Sequence, residues 1–159
     1  MSVKSRISTC LWFNDDGEEA AKFYVSLFSN SRIVSVSRYG EGGMMRKGLA
    51  MLTRFELDGA SFAALNGGRH FKLTEAASLV ALCDTQREID RLWSALTADG
   101  GAESRCGWLK DRFGLSWQII PSMLDEVMSG DPARAGRVMA AVMPMTKIDI
   151  ATLVKADKR

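Results

Sequence analysis

Nucleophilic or acid–base chemistry needs a reactive group with a partner beside it, and this chain places few such groups together. Its single histidine, His70, sits in a loop after Gly67-Gly68-Arg69 and before Phe71, a setting that by itself specifies neither a metal ligand nor a general base. Cys83 and Cys106 have no histidine near them in sequence, so buried, inert thiols are expected rather than nucleophiles. Asp58 is accounted for by its turn with Gly59, and Asp111 by the Lys110-Asp111-Arg112 loop. Glu75 precedes a strand and is the carboxylate with most scope for acid–base work, against the plainer reading of a solvated loop residue. Gly40, Gly42 and Gly43 followed by Arg46-Lys47 lack the Gly-Lys-Ser/Thr ending and the strand-to-helix setting of a phosphate loop, so a mobile hairpin loop is expected there.

The most informative stretch, Cys106 to Pro121, reads as a turn feeding a final buried strand. Strand alternation puts Ser116, Gln118 and Ile120 on one face of it and Leu115, Trp117 and Ile119 on the other. Gln118 can donate and accept hydrogen bonds to a ligand, or it can, like Asn66, satisfy backbone groups inside the sheet. Trp108 follows a glycine in a turn and suits a cleft wall or a subunit contact. Trp93 shares a helical face with Ile89 and Leu96 and belongs to the core.

The elements that must carry these residues are legible in order. Ile7 to Phe13 is rich in strand formers. Asp16 followed by Glu19 forms a candidate capping box for a helix whose apolar face is Ala20, Phe23, Tyr24 and Leu27. Arg32 to Tyr39, Leu49 to Leu57 and Ser61 to Leu65 read as three strands, the last two joined by a hairpin at Asp58-Gly59. The order then restarts: Ser78 to Cys83 is a strand, Thr85 with Glu88 caps a helix, and Gly100-Gly101 stops it. Short strands follow through Trp108 and Leu115 to Ile120, ended by Pro121. Beyond Pro121 the pattern is helical, with Asp131-Pro132 as a further helix start. These helices are expected to have no core of their own and to pack on the sheet or on a partner subunit. Met139, Met143 and Met145 are suited to filling such gaps.

At 159 residues and 17.5 kDa the chain suits one compact domain able to bury roughly 70% of its unfolded surface. Its 21 basic and 19 acidic residues are scattered along it, so no basic stripe is available for nucleic acid. Three cysteines without a Cys-x-x-Cys pair fit reduced thiols in a cytoplasm. Neither a signal peptide nor an apolar run of the ~20 residues of a spanning helix is seen, so no membrane partner is expected.

The strand-helix-three-strand unit used twice resembles the vicinal oxygen chelate superfamily, and several stretches resemble its PhnB-like family, whose members often carry the label 3-demethylubiquinone 3-methyltransferase. These are Cys10-Leu-Trp-Phe-Asn14, Glu19-Ala-Ala-Lys-Phe-Tyr24, Leu65-Asn-Gly-Gly68, Glu75-Ala-Ala-Ser-Leu79, Asp90-Arg-Leu-Trp93, Cys106 to Pro121, and Lys147 to Leu153. The resemblance implies an α+β fold: two βαβββ modules, about residues 5–68 and 76–121, forming a curved mixed sheet with a cleft, plus a C-terminal helical extension over 122–159. In metal-dependent members His or Glu holds an ion at places that fall here near Ser8 or Thr9, near Asn66, at Ser78 and at Gln118. These are neutral groups with little charge to offset the dehydration of a cation. The expectation is therefore a cytoplasmic homodimer that binds a small apolar or aromatic molecule without metal or cofactor. Thr9, Leu11, Asn66, Ser78 and Gln118 would line the cleft, with Trp108 and His70 at its mouth. No catalytic residue is assigned. The alternative is an enzyme of the same fold: a metal-assisted isomerase, lyase or dioxygenase, or a metal-free catalyst using Glu75 or His70. The methyltransferase label draws no support from Asn14-Asp15-Asp16-Gly17, which reads as a helix cap rather than the Gly-rich turn of a doubly wound sheet.

Overall fold

A computed structural model describes residues 6–158. The chain divides between Leu73 and Thr74 into two compact units, each built round one four-stranded sheet.

In the first unit β1 (Thr9–Phe13) leads into α1 (Gly17–Leu27), and β2 (Arg32–Arg38), β3 (Ala50–Leu57) and β4 (Ala60–Asn66) follow. The sheet order is β1-β4-β3-β2, with β1 parallel to β4 and the other neighbours antiparallel. Asp58 and Gly59 both take positive φ, 44° and 80°, the signature of the two-residue turn expected between β3 and β4. Register carries Leu11, Ala64 and Thr53 across one face, and Thr9, Phe62 and Phe55 across the same face. Tyr24 of α1 meets Phe55 there, and Phe55 stacks on Phe62. The core of this unit is that helix-covered face.

The start of α1 differs from the expected capping box. Asp16 occupies the N-cap without a side-chain cap bond. The Gly17 N–H donates instead to Asn66 Oδ1 at 2.8 Å, from the end of β4. An orphan donor of the first turn is thus satisfied by a residue remote in sequence. A Cβ at Gly17 would lie 2.8 Å from that oxygen, so the approach is open only to glycine.

The second unit repeats the plan. β5 (Ser78–Cys83), α2 (Gln86–Thr97), β6 (Ala102–Glu103), β7 (Trp108–Lys110) and β8 (Ser116–Pro121) give the order β5-β8-β7-β6, again with the first and last strands parallel. Here the capping box is present: Thr85 Oγ1 accepts from Glu88 N, and Glu88 Oε2 accepts from Thr85 N. Ile89, Leu92, Trp93 and Leu96 of α2 are buried, as are Ala81, Cys83, Leu109, Trp117 and Ile119 of the strands. Trp93 Nε1 donates to Glu103 Oε1. Asp111 is buried in a structural role, accepting from Phe113 N, Leu115 N and Trp117 Nε1.

After Pro121 come α3 (Ser122–Met128), α4 (Pro132–Val142) and α5 (Ile150–Asp157). They correct the expectation that this segment has no core: Leu124, Val127, Ala135, Val138, Val142, Ile148 and Leu153 form a buried cluster of their own. Three narrow apolar stripes, each too small to stand alone, close on one another. Ile120 and Cys106 pack against the same cluster, while Cys106 N and Gly107 N donate to Met145 O and Thr146 O at 2.8 Å each. Gln86 pins the approach to α5, accepting from Ile150 N and donating to Ile148 O. Among the described residues no helix is long and apolar enough to cross a membrane.

Candidate functional site

Each sheet has one face under its helix and one left more open, so strand parity decides which side chains are available to a ligand. In the first unit Leu11 lies on the covered side: it is buried and in register with Ala64, and a Cβ on Gly17 of α1 would touch Ala64 and Phe13. Thr9 has the same parity but is exposed at the strand's start. The open side of β1 is made instead by Cys10 and Trp12. Trp12 Nε1 donates to Gly68 O at 2.9 Å, and Phe71 meets the Trp12 ring edge-on at 4.8 Å. Gly67 is forced by this contact, since a Cβ there would lie 2.2 Å from the indole. His70 is exposed between Gly68 and Phe71.

Asn66 is 1% exposed and its amide is committed to the backbone. Besides accepting from Gly17 N, it donates through Nδ2 to Ala50 O at 2.9 Å and to Asp15 O at 3.2 Å. Of the two roles open to it from sequence, the geometry assigns the structural one.

In the second unit the open face carries Ser78, Val80 and Leu82 on β5, Ser116, Gln118 and Ile120 on β8, and Trp108 and Lys110 on β7, all by direct register. Val80 and Leu82 are 54% and 55% exposed, high for large apolar side chains in the strand of a sheet. Gln118 Nε2 donates to Ser78 Oγ at 2.9 Å, so these two expected site residues meet, and Trp108 stands beside Gln118 as its cross-strand partner. The C-terminal helices cover the Ile120 end of this face. At the other end Lys110 Nζ pairs with Glu75 Oε1 at 2.5 Å, and this pairing holds the Glu75 carboxyl below its ordinary range. Sequence reading placed Glu75 before the strand but could not foresee Lys110, 35 residues on, as its partner.

Of the two thiols expected to be buried, Cys83 is, whereas Cys106 is only partly buried, its Sγ donating to Met143 O at 3.6 Å. Cys83 is buried, and burial together with the neighbouring Glu88 pushes its thiol up to about 11, far from a nucleophile's range.

A resident divalent cation wants carboxylate or imidazole ligands. Ser78 and Gln118 are neutral and bonded to each other, and Asn66 is held by three backbone groups. Among the described residues no three His, Cys, Asp or Glu side chains gather where they could share an ion. The donor set at these places does not fit such a metal.

The family model described as 3-demethylubiquinone-9 3-methyltransferase matches residues 5–120. Among solved structures, a PhnB protein of Bacillus cereus carrying the same label shares 37% identity, with 74% of this chain and all of that one covered at a TM-score of 0.69. The fosfomycin resistance protein FosX of Mesorhizobium loti is 14% identical, with 80% and 99% of the two chains covered and a TM-score of 0.57. FosX of Listeria monocytogenes, solved with Mn(II) and sulfate, is 12% identical, with 80% and 97% covered and a TM-score of 0.53. These last two show the fold alone. No curated protein matches. Two βαβββ modules, and a family match over most of the chain, make this chain a member of the 3-demethylubiquinone-9 3-methyltransferase (PhnB-like) family, with the glyoxalase/bleomycin-resistance fold of the vicinal oxygen chelate superfamily.

Proposed function

We propose that the protein binds a small apolar or aromatic molecule on the open face of its second sheet without a metal. The observation that carries this reading is the pairing of Gln118 with Ser78 beside Val80 and Leu82, which stay half exposed. A concave site needs apolar area for affinity and a few polar groups for orientation, and this face has both. Gln118 keeps its side-chain carbonyl as an acceptor for a ligand donor. Trp108, its cross-strand neighbour, supplies a flat wall. In the first unit Trp12 and Phe71 form an aromatic edge of their own, with His70 exposed next to Phe71 in sequence.

The same reading places the protein in the cytoplasm as a homodimer. Its support is three unpaired cysteines, one of them exposed, and apolar side chains left open on Val34, Val80 and Leu82. Methyl transfer is not part of it, because the turn after β1 spends the Gly17 N–H on Asn66 rather than offering it to a cofactor.

The test is thermal unfolding against a panel of quinones and hydrophobic metabolites, since a ligand that binds only the native state raises its apparent stability. A ligand present at about 100 times its Kd should add about 2.7 kcal/mol. Treatment with EDTA should leave that gain intact, and Gln118→Ala should reduce it. Near-stoichiometric metal retained through purification without an affinity tag, with ligand binding lost on its removal, would defeat the proposal in favour of a metal-assisted enzyme.

A further inference from the structure

The second unit contains a small cavity of about 200 Å³ at the Lys110 end of its open face, lined by Glu75, Glu103, Ser104, Trp108, Lys110 and Ser116. Its floor is unusual. Ser116 is 1% exposed, and its Oγ has no hydrogen-bond partner. A buried hydroxyl left unmatched is destabilising, and native proteins retain few of them. The cavity lies below the 300–1,000 Å³ typical of drug-sized ligands, so its occupant is of fragment size.

The rim limits what that occupant can be. Lys110 and Glu75 are paired with each other at 2.5 Å, but their side chains remain 40% and 64% exposed, so the pair is held weakly and opens readily. A ligand bearing one charge would take one member of the pair and strand the other beside it. A ligand bearing both charges exchanges partners with the pair and leaves neither unmatched. Glu103 adds a second carboxylate to the lining, one oxygen of which accepts from the Trp93 indole N–H at 2.6 Å, so the cavity favours an ammonium and requires any carboxylate to sit on Lys110. Ser116 Oγ, a donor and an acceptor at once, can bond either charged end, and Trp108 offers an apolar wall to whatever side chain the ligand carries.

We infer that this cavity binds a small zwitterion of the α-amino acid class, its carboxylate on Lys110, its ammonium on Glu75, one of the two hydrogen-bonded to Ser116, and its side chain against Trp108. The site shares Trp108 with the face proposed above but rests otherwise on Glu75, Lys110 and Ser116, so failure of the ligand panel at Ser78 and Gln118 leaves it standing. Nothing in the inference requires turnover.

The probes are L-leucine and its two truncations, 3-methylbutylamine and 4-methylpentanoic acid, titrated into the full-length ¹⁵N-labelled protein. The Trp108 indole N–H and the Ser104 and Lys110 amides report on the cavity. Leucine should shift these signals saturably, and each truncation should bind about tenfold more weakly or worse, the loss of one charge-assisted contact. Ser116→Ala should weaken leucine about fivefold or more. It should also raise the thermal midpoint of the free protein, because it deletes an unmatched hydroxyl. The rise identifies Ser116 as retained for a ligand rather than for the fold. Absence of leucine-dependent shifts up to its solubility limit, equal binding of either truncation, or undiminished binding to the folded Ser116→Ala protein would each overturn the assignment.

Discussion

Asn66 holds three backbone groups that come from three places: Gly17 at the start of α1, Asp15 in the turn before it, and Ala50 at the start of β3. Cutting it to alanine strands all of them in a region with no room for bulk water. Asn66→Ala is therefore expected to cost about 2–4 kcal/mol by urea unfolding, whereas Gln118→Ala on the open face should stay within about 1 kcal/mol. Equal costs would mean that the two amides do the same job. From sequence the two looked alike, because a residue's partners across 49 positions leave no local signature. Thr9 and Leu11 were obscured for a related reason. Thr9-Cys10-Leu11-Trp12-Phe13 is apolar almost throughout, so it carries no alternation from which the covered side can be read. Cys83 was easier, since a free cysteine in an apolar strand is most often buried. Its raised pKa has a sign that can be checked. The unfolded thiol loses its proton near pH 9 while the folded one keeps it to about 11. The stability contributed is complete below pH 9 and falls as pH rises from there to 11, by about 2 kcal/mol in all. The wild-type protein should lose that much more stability between pH 8 and pH 11 than Cys83→Ala, and parallel pH profiles would refute the account.

Among the elements, those with local punctuation were legible and those defined by distant partners were not. Thr85 with Glu88, Asp131 with Pro132, and Asp58 with Gly59 each carry their instruction within four residues, and each forms as read. The cluster formed by α3, α4 and α5 was missed because its closure depends on how three short stripes meet. The attachment of α5 has a chemical character of its own. Asp149 caps it through Thr152 N at 2.7 Å, Asp157 at its end pairs with Arg134 of α4 (Nη2 to Oδ2, 2.7 Å), and Lys147 just before it pairs with Asp90 of α2 at 2.6 Å. All three carboxyls are held below their ordinary range: Asp149 by the Thr152 bonds, Asp157 by Arg134, and Asp90 by Lys147. A depressed folded pKa contributes stability above the unfolded value, near pH 4, that is lost as pH falls through the folded one. Acid should thus loosen α5 before the sheets. Hydrogen exchange at pH 2.5 and pH 5, corrected for intrinsic rates, should show protection falling selectively at Leu153 and Val154, with the β5–β8 amides retained. Unchanged protection of α5 at the lower pH would rule out these contacts as its anchor.

At the scale of the whole molecule, one strand order is used twice, yet the two units solve the same local problem differently. α2 starts on its own Thr85 and Glu88, while α1 starts on Asn66. The repeat was legible as an order of elements because periodicity and turn signals survive divergence in residue identity; these interior solutions do not. The family match stops at residue 120, and the Bacillus cereus relative is covered in full by 74% of this chain, so the two-sheet plan does not call for a helical extension. Here, however, the extension takes up what the second sheet leaves open. Met145 O and Thr146 O accept from Cys106 N and Gly107 N, and the helical cluster covers Ile120. A chain ending at Pro121 should keep its strand content by circular dichroism while losing about 2 kcal/mol of stability, the order expected for returning one large aliphatic side chain to water. The Cys106 and Gly107 amides should exchange faster in it. If that shortened chain is instead unfolded, the extension is part of the folding unit, and the helical cluster and the second sheet share one core.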